Sequence, residues 1–277
     1  MEALETLTGI ARPLPHPASS SRRLAIVEIA GRDSVAAGIV ATRERGFEAL
    51  LPTVAHTGTQ AGDERAPLRA VELLRRRVRS QAEVLDPVSL GDTAMWSALN
   101  ARFASEIHRL FGMHSPCLAC HLYLHLCRVP LSWRLGRVPV VAGERDTHGG
   151  RLKLSQTPLA IDVAIDVLSD AGVELVEPIR AVESGDEIAR IVGDEWDPAA
   201  GQLGCVLSGN YVALDGCVIF DEDAYARYAE EFLRPAGRAI VRAWRDLGWD
   251  DLGRDESAPE RRPDYEAIVR DVLEGVT

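Results

Sequence analysis

The sequence predicts an α/β protein: a parallel sheet of five strands with helices on both faces, followed by a C-terminal hairpin and helical extension. Three observations carry this expectation. Strand-like and helix-like segments alternate from Leu24 to Val192. Several strand candidates are short apolar runs, LAIV at 24–27 and VPVVA at 138–142 among them, as strands buried on both faces require. The alternation then stops after about residue 195.

In chain order, residues 1–23 read as an N-terminal arm, with Pro13, Pro15 and Pro17 ahead of three serines. The first strand, Leu24–Ile29, is interrupted only by Glu28 and passes through Ala30-Gly31-Arg32-Asp33-Ser34 into a helix that ends at Gly46. Phe47–Val54 is the second strand, with Pro52 inside it, and runs into the polar turn His56-Thr57-Gly58-Thr59. Asp63–Ala82 forms a helix with Leu68, Val71, Leu74 and Val78 on one face. Glu83–Leu90 supplies the third strand and Thr93–Phe111 an amphipathic helix. Ser115-Pro116-Cys117 opens a further helix to about Leu135, since proline suits a first helical turn.

Val138–Ala142 is the fourth strand, Thr157–Asp170 a helix, Val173–Ile179 the fifth strand and Asp186–Val192 a short helix. A loop with Cys205, a hairpin around Asp215-Gly216, a helix from about Asp223 to Leu247 and a last short helix over Tyr265–Leu273 follow. The expected division is an arm at 1–23, a nucleotide-binding domain at 24–195 and an extension at 196–277.

Apolar residues make up 46% and charged residues 26% of the 277, which excludes disorder as the class. No window holds eighteen uninterrupted apolar residues, so no membrane partner is expected. The N-terminus lacks an apolar signal core, and the expected location is cytoplasmic. A formal charge of −11 argues against a broad nucleic-acid-binding face. Arg75-Arg76-Arg77 reads as a solvated helix face. Lys153 is the single lysine of the chain, a compact point charge where guanidinium is used everywhere else.

Chemistry concentrates in three places. In the first, the strand-turn-helix at 24–40, the turn glycine Gly31 and a helix opening on Asp33-Ser34 would cradle a phosphate at backbone N–H groups. The same residues also fit an ordinary turn with Ser34 as a cap. Neither a GxGxxG nor a GxxxxGK[ST] string occurs.

The second is Cys117-Leu-Ala-Cys120-His121. The CxxCH string matches haem attachment, which a cytoplasmic α/β chain makes a coincidence, and a thioredoxin-like pair would need a preceding strand. Zinc held by Cys117, Cys120 and two of His121, His125 or Cys127 is chemically sensible, and so is a packing role for both histidines. Five cysteines, an odd number, do not describe a disulfide scaffold, and Cys127 and Cys217 read as small buried residues.

The third is Gly143–Gln156, which gathers Glu144, Arg145, Asp146, His148, Arg151 and Lys153. Lys153 or Arg151 would stabilise charge on a departing anion, and Asp146 or His148 would orient an attacking group. A solvated loop is the alternative.

The segment Ile29-Ala30-Gly31-Arg32-Asp33-Ser34 resembles the SGGxDS pattern of the PP-loop ATP pyrophosphatase superfamily, also called adenine nucleotide alpha hydrolases or HUP domains. GRDS fits, whereas Ile29 and Ala30 replace the first serine and glycine. The resemblance covers roughly residues 24–210 in motif order and implies a Rossmann-like (HUP) sheet. Ala30, Gly31, Arg32, Asp33 and Ser34 would then hold ATP phosphates, with Asp33 sharing Mg²⁺. The rule that ligands sit beyond the carboxyl ends of such strands adds His56, Thr57, Gly143 and Glu144 to the nucleotide site.

Within that superfamily the cysteine pattern resembles the tRNA 2-thiolation enzymes, in which a CxxC and a later cysteine hold a [4Fe–4S] cluster with one open iron. The resemblance implies Cys117, Cys120 and Cys205 as metal ligands, with zinc as the alternative metal. It implies an ATP-dependent sulfurtransferase, with Asp33, Asp146, Lys153, Cys117 and Cys205 as its catalytic groups. The acceptor would be a tRNA or a small molecule, and the sulfur would come from a donor protein or free sulfide. Assembly as a homodimer stays open. Two other readings remain: an amide-forming or small-molecule thiolating ligase with structural or zinc-binding cysteines, and a nucleotide-binding protein that has lost catalysis.

Overall fold

The computed structural model describes residues 22–197, 202–251 and 261–276. The arm expected at 1–23 therefore lies, except for Arg22 and Arg23, outside the described residues. Strand β1 (Leu24–Glu28) is buried along its whole length and leads into helix α1 (Arg32–Arg45), which stops at Gly46 in the left-handed conformation that glycine tolerates best. Strand β2 (Ala49–Ala55) pairs with β1 in parallel, and a short β3 (Gln60–Ala61) precedes helix α2 (Ala66–Val78).

The expected third strand is two pieces, β4 (Glu83–Val84) and β5 (Val88–Leu90), both parallel to β2 on the same edge. Leu50 pairs with Val84 but Thr53 with Val88, so the edge strand gains one residue in the Leu85-Asp86-Pro87 step. That break faces Pro52, which has no N–H to offer it.

The helix expected over Thr93–Phe111 is likewise two, α3 (Thr93–Asn100) and α4 (Ala104–Phe111). Asn100 ends the first by donating its side-chain amide to the Trp96 carbonyl, the local competition that makes Asn a poor interior helix residue. The segment expected to be one helix to Leu135 divides into α5 (Pro116–Leu126) and α6 (Val129–Arg134). Pro130 has no N–H for the Leu126 carbonyl, and α5 ends at Leu126. Strand β6 (Val140–Val141), helix α7 (Pro158–Asp170), strand β7 (Leu175–Val176) and helix α8 (Gly185–Val192) complete the alternation.

Cys205, expected in a loop, sits in a two-residue strand, β8 (Gly204–Cys205), antiparallel to β3. The hairpin beyond it closes by one antiparallel bridge, Val212 to Val218. The long C-terminal helix begins as α9 (Glu222–Arg227), widens to a π-helical stretch over Tyr228–Leu233 and continues as α10 (Arg234–Asp246). The widening precedes Pro235, which again lacks a donor. Helix α11 (Tyr265–Glu274) is last.

The main sheet runs β4-β2-β1-β6-β7, all parallel, with β5 extending β4 along the edge of β2. Alternation along the strands divides the core in two. Ala25, Val27, Leu50 and Val141 face α1, α2 and α8. Leu24, Ile26, Leu51 and Val140 face the layer that includes α3, α5, α6 and α7. The extension joins this second layer: α10 packs on α7, α11 on α3, and Trp244 stacks on Trp249 while donating to the Tyr265 hydroxyl. Among the described residues no helix is long and apolar enough to cross a membrane.

Candidate functional site

The chain leaves β1 toward β2 and later returns to β6 on the other side of β1, so strand order reverses between β1 and β6. Such a reversal opens a crevice at the carboxyl ends of the two strands. A cavity of about 580 Å³ lies there. Gly31, Asp33 and Ser34 line it from the β1–α1 turn, and Gly143 and Glu144 from the loop after β6. A Cβ on Gly143 would lie 2.6 Å from the Ser34 nitrogen, so only glycine lets the two loops approach this closely.

The turn is internally bonded. The Ser34 hydroxyl donates to the Gly31 carbonyl at 2.6 Å and accepts from the amides of Ala30 and Gly31 at 3.1 Å each. Asp33 is held by Arg145 at 2.9 Å and approached by Arg32 at 3.4 Å. Arg145, itself buried, also reaches the carbonyls of Val182 and Glu183, tying the turn to the segment before α8.

Below the turn lies a buried charged group that pattern reading did not assemble. Glu28 accepts from His125 Nδ1 at 2.8 Å and lies 3.5 Å from Arg128 Nε, which also donates to the Thr53 hydroxyl at 2.9 Å. Burial opposes ionisation of Glu28, but Arg128 and His125 hold its carboxyl below the usual range. Burial also opposes a charged His125, yet Glu28, Glu144 and Glu177 lift it to about 9. Glu144 accepts from His121 Nδ1 at 3.1 Å and from Gln156. Against the effect of burial, His121, His125 and Gln156 bring Glu144 down to about 2. The one visible signal was Glu28 itself, a carboxylate inside an apolar strand, where an ion must be paired.

The three expected metal ligands converge. Cys117 and Cys120, one helical turn apart on α5, line the cavity, and β8 brings Cys205 to the same wall. Asn210 donates to Cys117 Sγ at 2.8 Å, Trp96 Nε1 to Cys120 Sγ at 3.4 Å, and the Thr59 hydroxyl lies 3.3 Å from Cys205 Sγ. Burial pushes the Cys117 thiol up and Cys120 to about 12, so both are protonated unless a metal binds. Among the described residues no three Cys, His, Asp or Glu groups are drawn in closely enough for a single metal ion. All three are soft sulfur donors on the lining of one cavity.

Other expected residues divide. Ala30, Thr57 and Lys153 line the cavity, and Lys153 donates to Gln156 at 3.1 Å while burial lowers its ammonium. Arg32, His56 and Asp146 lie outside the lining. His56 meets Tyr123 through its backbone carbonyl, and Arg180 grips both oxygens of Asp146 at 3.0 Å. Cys127 is buried in the core as expected, whereas Cys217, expected to be buried, is exposed and lies outside the cavity lining.

The chain is 37% identical over 224 residues to the uncharacterized protein MJ0009 of Methanocaldococcus jannaschii, a match that covers 80% of each chain. It belongs to the same family as that protein. No protein-family model matches the chain.

Proposed function

We propose that this protein is an ATP-dependent sulfurtransferase of the PP-loop (HUP) type, which adenylates a carbonyl oxygen and replaces it by sulfur. The supporting observation is a single one: the Gly31–Ser34 turn and the thiols of Cys117, Cys120 and Cys205 line the same cavity. A reaction that activates an oxygen with ATP and then delivers sulfur to that carbon needs both within reach of one acceptor.

In this reading the α1 N-terminus takes the phosphates of ATP, the amides of Ala30 and Gly31 being held by Ser34, and Lys153 offsets charge on the leaving pyrophosphate. Asp33, which accepts from Arg145 Nε at 2.9 Å, would help to hold Mg²⁺. The acceptor oxygen attacks the α-phosphorus and pyrophosphate leaves. Cys117, Cys120 and Cys205 would hold an iron–sulfur cluster. The group they hold would supply sulfide-level sulfur to the activated carbon, with AMP leaving as the C–O bond breaks. Glu144, kept ionised by His121, His125 and Gln156, is a negative charge on the lining of this cavity. A tRNA base is the favoured acceptor, and a donor protein or free sulfide the sulfur source.

The self-bonded turn favours a second reading, a nucleotide-binding protein without turnover. Ser34 and its neighbouring amides satisfy one another, and a Cβ on Gly31 would meet the Gln202 side chain at 2.8 Å. The two readings separate when anaerobically reconstituted protein is incubated with ATP, sulfide and unmodified tRNA. Pyrophosphate release with a thiolated nucleoside by mass spectrometry is the expected result. ATP binding without pyrophosphate release, with tRNA or without it, would select the second reading.

A further inference from the structure

We propose that Trp96, Asn210 and Thr59 are positioning residues of the sulfur site, each giving one hydrogen bond to one of its three sulfurs and together raising the reduction potential of the group held there. The inference rests on the cluster reading above. Its ground is a one-to-one match: Trp96 to Cys120, Asn210 to Cys117, Thr59 to Cys205.

The direction of each bond is set by the donor's chemistry or by its other contacts. An indole N–H only donates. The Asn210 amide nitrogen also donates to the Leu207 carbonyl at 2.8 Å, a group that only accepts, and so the nitrogen faces Cys117 while the oxygen accepts from Ser115 Oγ at 3.0 Å. A metal-bound sulfur carries no proton, so the hydrogen between Thr59 and Cys205 must come from the hydroxyl. Thr59 is itself fixed by Thr57, through its hydroxyl at 2.7 Å and its amide at 3.2 Å.

The three donors come from three separate parts of the fold: α3, the turn between β8 and the hairpin, and the turn after β2. A neutral thiol is a weak acceptor and gains little from such partners. Sulfur in a negatively charged cluster gains more, and most in the reduced state, where its charge is greatest. Thr57 and Thr59 both line the cavity, so one turn supports the nucleotide end and the third thiol together.

The test is dye-mediated redox titration of anaerobically reconstituted wild type and of Trp96→Phe, Thr59→Val and Asn210→Leu, followed by visible and EPR spectra. Iron content and thermal unfolding verify that each variant is loaded and folded. Each single variant is expected to shift the midpoint negative, with a larger shift in the triple variant and iron lost to a chelator several-fold faster. Fully loaded variants with the wild-type midpoint would overturn the inference and leave the cluster reading standing. Wild-type protein that takes up no iron would overturn the cluster reading, and this inference with it.

Discussion

The Thr59 hydroxyl lies 3.3 Å from the sulfur of Cys205, and the Val206 amide donates to the Thr59 carbonyl at 2.9 Å. The turn after β2 therefore holds the third thiol against the cavity that the CxxC pair lines from α5. Cys205 is exposed and depends on the β3–β8 pairing for its position, whereas Cys117 and Cys120 ride on a packed helix.

Thiol reactivity follows from this placement. In metal-free native protein Cys205 and Cys217 are expected to alkylate first and Cys127 only on unfolding, because burial holds Cys127 at about 12 and out of reach. Metal loading should protect Cys205 and leave Cys217 reactive, as peptide mass mapping would reveal. Equal protection of both would contradict the assignment.

Gly143→Ala places a Cβ 2.6 Å from the Ser34 nitrogen, against backbone that has no rotamer to yield. The expected cost is about 1–3 kcal/mol in urea unfolding, with ATP affinity falling at least about tenfold because the phosphate turn moves. Wild-type ATP affinity in a folded variant would show that the two loops do not meet around the nucleotide.

Glu28→Ala removes the carboxylate that faces both His125 and Arg128. Two buried cations lose their nearest carboxylate, with Glu144 still 3.7 Å from His125 Nε2 and the Thr53 hydroxyl still on Arg128. Breaking a buried pair costs up to roughly 3–5 kcal/mol. A loss below about 1 kcal/mol in denaturant titration would mean that water reaches the group.

Glu177 produces a pH signature. Neither of its buried oxygens has a hydrogen-bond partner among the described residues, and burial lifts its carboxyl to about 8, with Glu144 and Glu28 adding to the rise and His125 and Arg180 opposing it. The folded state thus keeps a proton that the unfolded chain releases near pH 4.5. Stability should fall as pH rises from about 4.5 to about 8. His125, lifted from 6.5 to about 9, contributes stability that is present below pH 6.5 and lost as pH rises through about 9. Glu177→Gln should remove the lower part of this decline and leave the part near pH 9. An unchanged slope in the variant would contradict the burial argument.

The sheet and its flanking helices were legible because parallel strands bury both faces and read as apolar runs, as Leu24–Val27 does. The breaks were harder to place, since Pro52, Pro130 and Pro235 act through the hydrogen bonds they fail to make with segments several residues away or on a neighbouring strand. The thiol trio was suggested by motif order, whereas its support from Trp96, Asn210 and Thr59 depends on contacts between distant parts of the chain. The Glu28–His125–Glu144 group was hidden for the same reason: His121 and His125 show only helical spacing, and their carboxylate partners come from the end of β1 and the loop after β6.

Metal analysis of anaerobically purified wild type and of the five single Cys→Ala variants tests the central claim most directly. The account predicts iron and acid-labile sulfide at about four each per chain, lost in the Cys117, Cys120 and Cys205 variants and retained in the Cys127 and Cys217 variants. A cluster that survives Cys205→Ala, or a wild-type chain that carries only zinc or no metal, would contradict it.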